Sequence, residues 1–367
     1  MLESALKVLS QIEEYGYKAY IVGGFVRDYL LGKKSPDVDI TTNATPKDLK
    51  YIFPNSFLPN EAYGAITIIS DKIRFEITTF RKEISYSNNR KPLEFEYIDN
   101  LKEDLLRRDF TINTFCIDSS GKIIDLLNVM NDLDNKIICT VHNEMDSFTE
   151  DALRILRAIR FATVLDFKLS QSVKDAIKKC KKYLKIISYK RKKDELDKIF
   201  MSSNASYGVS LIRELGLDVE LEIYNINDIK LSSDLVGIWA SLEVSEKYPF
   251  TRVEKELISK IKYVSKLNKF DNYTLYKYGP YVNGVAAYNT YGNKNEIISK
   301  YNNLPIKTRS DILISSKEII ELFNIPAGKY IGEILSDVES KILSGQLNND
   351  NVELKNYIKN KYIIQGE

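Results

Sequence analysis

The chain has 367 residues, 28% of them charged and 44% hydrophobic, enough for more than one globular domain with its own core. Lys+Arg 53 against Asp+Glu 51 leaves it nearly neutral, which excludes a generally basic polyanion binder, so any anion site must come from local clustering. A single histidine, His142, excludes a histidine-built metal centre; Cys116, Cys139 and Cys180 fit neither a disulfide framework nor a zinc knuckle and point to a reducing cytoplasm.

The first segment, MLESALKVLSQIEEYGY, predicts an amphipathic helix rather than a secretory leader, and no apolar run is long enough to suggest a membrane partner. Residues 19–42, AYIVGGFVRDYLLGKKSPDVDITT, then predict a strand, a turn at Gly23-Gly24, a helix carrying Arg27 and Asp28, and a second strand entered through Asp37-Val38-Asp39. Side chains at i and i+2 of a strand share a face, so Asp37 and Asp39 point into one space. Two bare carboxylates there are costly unless a cation lies between them. A glycine-hinged helix N-terminus nearby offers N–H groups to phosphate oxygens. Each piece alone has a bland account: glycine for a positive φ, acids solvated at a strand end. Their order and spacing together describe a nucleotidyl-transfer site.

Ala65–Ser70 and Arg74–Thr79 predict a hairpin around Asp71-Lys72, and Phe115–Asp118 with Lys122–Asp125 a second around Ser119-Ser120-Gly121. Between them, the polar stretch from Arg81 to Leu101 has weak periodicity and reads as a mobile loop. The pattern to about residue 140 is that of a small mixed sheet flanked by helices, and from Phe148 onward helical periodicity dominates, an α+β chain as a whole. Leu106–Asn113, LRRDFTIN, sets Arg107, Arg108 and Asp109 side by side. They form either a surface ion pair or a nucleotide contact, with the Arg108 guanidinium forked onto phosphate or ribose.

Glu150–Ala162, EDALRILRAIRFA, predicts one helix with Glu150 and Asp151 in its first turn. Arg154, Arg157 and Arg160 form a drifting stripe opposite Ile155, Leu156, Ala158, Ile159 and Ala162, with Leu153 and Phe161 interrupting the polar side. An acid-capped helix with an exposed arginine face is one account. The other is chemical. Cytosine and adenine each offer an exocyclic amine beside a ring-nitrogen acceptor; Asp151 can accept from the first and Arg154 donate to the second. Uracil and guanine invert that pattern, and each edge contact is worth about 1–3 kcal/mol of discrimination. The lysine-rich run from Lys178 to Lys198 is either a solvated helix face or a phosphate-backbone contact.

GGFVRDYLLG, DVD, RRDFTIN and the ED-x-x-R of Glu150, Asp151 and Arg154 resemble the motifs of class II tRNA nucleotidyltransferases, which include CCA-adding enzymes and bacterial poly(A) polymerases. Ile312–Asn349, with Pro326, Gly328, Gly345, Leu347 and Asn349, is similar to the tail of CCA-adding enzymes from low-GC bacteria. The resemblance implies a polymerase-beta-like nucleotidyltransferase head with a small mixed sheet over residues 1–145. An all-helical neck that recognises the base (146–205) and a helical body and tail on the tRNA acceptor arm (206–367) would follow. It implies Mg²⁺ held by Asp37 and Asp39, nucleotide phosphates on Gly24 and Arg27, a nucleotide contact from Arg108, and base selection by Asp151 and Arg154, with Arg157 and Arg160 in the same site. The implied reaction is template-independent addition of CCA to tRNA from CTP and ATP. An A-adding or CC-adding enzyme, a poly(A) polymerase, and a non-catalytic RNA-binding protein are the alternatives. Leu126 to Met130, LLNVM, departs from the proline-glycine element of the family's hinge. Glu76 is left outside the expected catalytic set, because a strand surface position explains it equally well.

Overall fold

A computed structural model describes residues 1–60, 64–87, 91–291, 293–324 and 326–362. Two compact units emerge: residues 1–227 with 244–249, and residues 228–243 with 250–367.

The first unit opens with α1 (Leu2–Glu13), which buries Ala5, Val8, Leu9 and Ile12 along one stripe as its periodicity predicts. β1 (Ala19–Val22), α2 (Gly24–Leu30), β2 (Val38–Thr42), α3 (Pro46–Ile52), β3 (Phe57–Asn60), β4 (Ala65–Ser70) and β5 (Ile73–Thr79) follow. After them come β6 (Arg81–Ser87), β7 (Lys91–Tyr97), α4 (Leu101–Leu106), β8 (Cys116–Ile117) and β9 (Ile123–Ile124). Seven strands form one sheet in the order β3-β4-β5-β2-β1-β8-β9. β2 and β5 pair in parallel and the other neighbours antiparallel, so the sheet is mixed. Ile21, Ile40, Ile66 and Ile77 on this sheet are fully buried. The hairpin around Asp71-Lys72 forms as expected, with both turn residues at positive φ (+49° and +64°), the handedness that a two-residue connection needs.

The stretch expected to be an unstructured loop is instead paired. β6 and β7 make an antiparallel ribbon of their own, separate from the large sheet, starting at Arg81 opposite Tyr97; residues 88–90 lie outside the described residues. The signal was present in KPLEFEY, where Leu93, Phe95 and Tyr97 alternate with Glu94 and Glu96, but the polar residues before it diluted the period of two.

The unit continues through α5 (Met130–Asp134), β10 (Ile137–Ile138), α6 (Glu144–Glu150), α7 (Leu153–Leu165), β11 (Lys168–Leu169), α8 (Gln171–Cys180), α9 (Tyr189–Phe200), α10 (Ala205–Glu214) and α11 (Asp218–Leu221). Here the single helix expected from Glu150 onward is corrected. Glu150 ends α6, Asp151 is extended (φ −140°, ψ 103°), and α7 begins at Leu153. Aspartate prefers capping to a helix interior, and the Asp151 carboxylate accepts the Leu153 N–H at 3.0 Å. The break therefore has a local cause.

Among its described residues the second unit is all-helical: α12 (Leu235–Ser241), α13 (Arg252–Leu267), α14 (Asn272–Tyr291), α15 (Asn295–Asn302), α16 (Ser316–Phe323), α17 (Lys329–Leu343) and α18 (Asn351–Lys361). α14 is broken at Gly279 (φ +72°), immediately before Pro280. One core gathers Ile261, Val264, Val282, Val285 and Ala286; another gathers Ile319, Ile334, Val338, Ile342, Leu354 and Ile358. In the tail, Asn349 bridges two segments: its amide donates to the Asp311 carbonyl (2.7 Å) and its side-chain carbonyl accepts the Leu313 N–H (2.9 Å). Among the described residues no helix is long and apolar enough to cross a membrane.

Candidate active site

β1 runs into Gly23, where φ is +73°. A Cβ there would lie 3.3 Å from Asp39 Oδ2 and 3.7 Å from Arg108 Nη1, so glycine permits both the turn and the close approach of these groups. Asp39 stands between Val22 on β1 and Glu76 on β5. Cross-strand partners share a face, so Asp39 and Glu76 are neighbours on one side of the sheet. Asp39 is the exposed residue of β2 and opens onto a cleft whose walls flank it. Burial and then the Glu76 charge push its carboxyl up to about 6, against the pull of Arg108 and with a smaller push from Asp37. Asp37 is exposed just before β2 and does not line the cleft. These acids crowd one another without converging: no set of three or more His, Cys, Asp or Glu is gathered for a metal among the described residues.

The cleft, about 540 Å³, is walled by Arg27, Arg81, Arg107, Arg108, Arg154, Arg157, Arg160 and Arg191 against Asp39, Asp109 and Asp151. Buried Asp104 organises one wall. Its Oδ1 accepts from Arg107 Nε (2.9 Å) and Nη2 (2.6 Å), and its Oδ2 from Arg108 Nη2 (3.1 Å). Burial alone would raise the Asp104 carboxyl, but Arg108 and Arg107 outweigh it and hold it below the usual carboxylate range. Arg108 Nε is buried with no hydrogen-bond partner among the described residues, a donor left for a ligand. Alongside this wall a cavity of about 350 Å³ shares Asp39 and Arg108 and adds Glu76.

Asp109 ties the sheet-bearing part to α7. Its Oδ2 accepts from Arg157 Nε (2.7 Å) and also from Nη2, and its Oδ1 from Asn113 Nδ2 (3.0 Å) and the Phe110 N–H (2.9 Å). Burial opposes charge on Asp109, yet Arg157, Asn113 and Arg154 hold its carboxyl down at about 2. Asn113 in turn accepts from Arg27 Nη1 (2.8 Å), whose other face is clamped on Asp28. Phe161, which broke the polar stripe in the sequence, is a shared platform. The guanidinium carbons of Arg160, Arg27 and Arg157 lie 4.2, 5.2 and 5.4 Å from its ring centre. Arg160 is also ion-paired with Glu195 at 2.6 Å.

Arg154 is only 7% exposed, so the account of α7 as a helix with an exposed arginine face fails. Its Nη1 donates to Glu150 Oε2 (2.9 Å) and Ser147 Oγ (3.0 Å), and its Nη2 to the Arg107 carbonyl (3.1 Å). Glu150 also meets His142 Nε2 at 3.1 Å. Asp151, on the break beside it, accepts from Arg191 Nη2 at 2.9 Å through the oxygen not used for capping. Of the residues given a nucleotide or metal role in the sequence, Gly24, Arg27, Asp39, Arg108, Asp151, Arg154, Arg157 and Arg160 line this cleft and Asp37 does not. Sequence reasoning missed Asp104 and Arg191 and set Glu76 aside. Glu76 becomes visible only once β5 is paired with β2, and Arg191 is hidden in a lysine-rich run.

This mixed sheet followed by helices is a nucleotidyltransferase fold: residues 19–139 match the poly A polymerase head domain, and residues 166–219 match the family described as the probable RNA and SrmB-binding site of polymerase A. Residues 247–358 match tRNA nucleotidyltransferase domain 2. The chain is 35% identical to a CCA-adding enzyme of Ligilactobacillus salivarius over 95% of this chain and 94% of that one. It is 32% identical to that of Anoxybacillus flavithermus over 96% of each. A crystal structure of the Bacillus stearothermophilus CCA-adding enzyme in complex with CTP superposes with a TM-score of 0.81 at 26% identity, covering 98% of this chain and 97% of that one. The chain belongs to the CCA-adding enzyme family of tRNA nucleotidyltransferases.

Proposed function

We infer that this protein adds C, C and A to the 3′ end of tRNA from CTP and ATP, releasing pyrophosphate, and that the arginine-walled cleft is where transfer occurs. The observation that carries the reading is the sharing of one cleft by two kinds of group: a crowded acid, Asp39, on the sheet, and a carboxylate–guanidinium pair, Asp151 and Arg154, at the start of α7. Asp39 and Glu76, cross-strand neighbours, with Asp37 two residues before Asp39, offer carboxylate oxygens, the donor type that a hard divalent cation takes, and the Asp39 carboxyl, raised by burial and then by the Glu76 charge, is one that such a cation relieves. These residues fit Mg²⁺, which when bound supplies activation of the tRNA 3′-hydroxyl and neutralisation of the leaving pyrophosphate. The chain's own part is positioning. Arg108, with its unpartnered Nε, and the turn at Gly23-Gly24 beside Arg27 receive the triphosphate, while Asp109 holds Arg157 against it. Asp151 accepts the exocyclic amine of the base and Arg154 donates to its ring nitrogen.

We assign residues 1–145 to transfer, 146–205 to base recognition and 206–367, with the lysine-rich run before them, to the phosphates of the tRNA acceptor arm. A cytoplasmic setting suits both that substrate and three free thiols. The test is a tRNA lacking its 3′ end, offered CTP and ATP with Mg²⁺ and read by sequencing of the products. Sequential C, C, A is expected; C alone, A alone, or a run of A would overturn the assignment in favour of the partial enzymes or a poly(A) polymerase.

A further inference from the structure

We propose that Arg191 is a positioning residue for base selection, acting through Asp151; this deepens, and rests on, the base-reading role given above to Asp151 and Arg154. Asp151 sits on extended backbone between α6 and α7, its N–H donating to the Ser147 carbonyl (3.3 Å) and its carbonyl accepting the Arg154 N–H (3.0 Å). Nothing in that backbone fixes where its carboxylate points. Two bonds do. The Leu153 N–H takes Oδ1 (3.0 Å) and Arg191 Nη2 takes Oδ2 (2.9 Å), so both side-chain torsions are pinned from opposite ends of one carboxylate. A carboxylate has about four acceptor positions, so lone pairs remain for a base amine.

Arg191 comes from α9, a different helix, which also carries Glu195, the partner of Arg160. Its side chain is 26% exposed and lines the cleft, as a group bridging scaffold and ligand would. The arrangement mirrors that of the other reader: Glu150 holds Arg154 as Arg191 holds Asp151. Each reader thus has a fixed counter-charge on the protein. Without Arg191, Asp151 keeps its capping bond but is free to turn about it, and its acceptor no longer stands at a fixed distance from the Arg154 donor. The loss falls on discrimination, because a wandering carboxylate neither rewards the amine nor repels the uracil carbonyl consistently. If Arg191 only attracted phosphate, removing it would weaken every nucleotide alike.

The experiment compares kcat/KM for CTP against UTP, and Kd for the same two nucleotides, in wild type, Arg191→Met, Asp151→Ala and the double variant, using the full chain and a tRNA lacking its 3′ end. Arg191→Gln runs in parallel so that a folding failure of the methionine variant leaves the test intact. Arg191→Met or Arg191→Gln is expected to lower the CTP-over-UTP preference about tenfold, on the scale of one edge contact. The double variant is expected to fall no further than Asp151→Ala alone. Unchanged preference, or an equal loss for both nucleotides, in a protein where Asp151→Ala does relax selection, would overturn the role of Arg191. An Asp151→Ala enzyme with intact preference would instead remove the base-reading assignment and this proposal with it.

Discussion

Replacing Asp109 by asparagine tests whether charge, rather than shape, joins α7 to the sheet-bearing part of the first unit. The Asp109 side chain is 11% exposed, so its interactions are little screened. A carboxyl held at about 2 rather than the ordinary 3.8 favours the folded state by about 2 kcal/mol at neutral pH. The sign follows from the depressed value: the stabilisation is complete above the ordinary carboxylate value and disappears as pH falls from about 4 through about 2. Asparagine keeps the size and the contacts to the Asn113 amide and Phe110 N–H through its carbonyl, but leaves Arg157 facing a neutral group. Arg157 is 35% exposed and can turn to water, so no large further penalty from a stranded charge is expected. Hydrogen exchange resolved by peptide, at pH 7 and at intervals down to pH 3, is the assay. At pH 7, α7 amides of Asp109→Asn should open more easily by about 2 kcal/mol, and the gap to wild type should narrow below pH 4. Peptides from α17, in the second unit, serve as the control. Equal protection of α7 at pH 7, or a gap that persists undiminished at pH 3, would refute the reasoning.

Gly23→Ala puts a methyl group 3.3 Å from Asp39 Oδ2 at a φ of +73°, so it should cost about 1–2 kcal/mol and slow transfer together; wild-type melting and initial rate would contradict this. Asp39→Ala should abolish transfer, and Glu76→Gln should lower it by about a hundredfold, with tRNA retention on filters unchanged in both. Lost tRNA binding or folding would move these acids to a structural role. Arg154→Ala should relax selection against UTP by about ten- to a hundredfold while triphosphate affinity changes less, measured as competing kcat/KM values. Intact base preference would remove that role and leave the metal chemistry standing.

What the sequence made legible was local. The strand–turn–helix at Gly23-Gly24 and the hairpin at Asp71-Lys72 are written in adjacent residues, and both formed where expected. The arginine stripe at 154, 157 and 160 was equally plain, but its two accounts differed only in what lies over it, which periodicity does not encode. Burial of Arg154 against Glu150, Ser147 and Arg107 removed the account of an exposed arginine face. The helix break at Asp151 escaped notice because acids suit both a first turn and a cap. Glu76 was opaque for another reason: it owes its position to Asp39, a partner distant in sequence. Asp104 pairs with Arg107 and Arg108 close by in the chain, but its burial, which gives that pairing its weight, is set by the fold. The ribbon of β6 and β7 was missed where polar residues blurred an alternation that was there.

The parallel pairing of β2 with β5 carries an implication for how the molecule comes into being. Hairpins such as that of β4 and β5 close over a few residues, but the chain must make α3, β3 and β4 before β5 can return to lie beside β2. Contacts of that span form slowly, since loop closure precedes any reward. Until they do, Asp39 has no Glu76 at its side and the crowding that raises its proton affinity does not exist. Protection of the β2 and β5 amides would therefore time the completion of this sheet during refolding, marking a step that helix formation alone does not report.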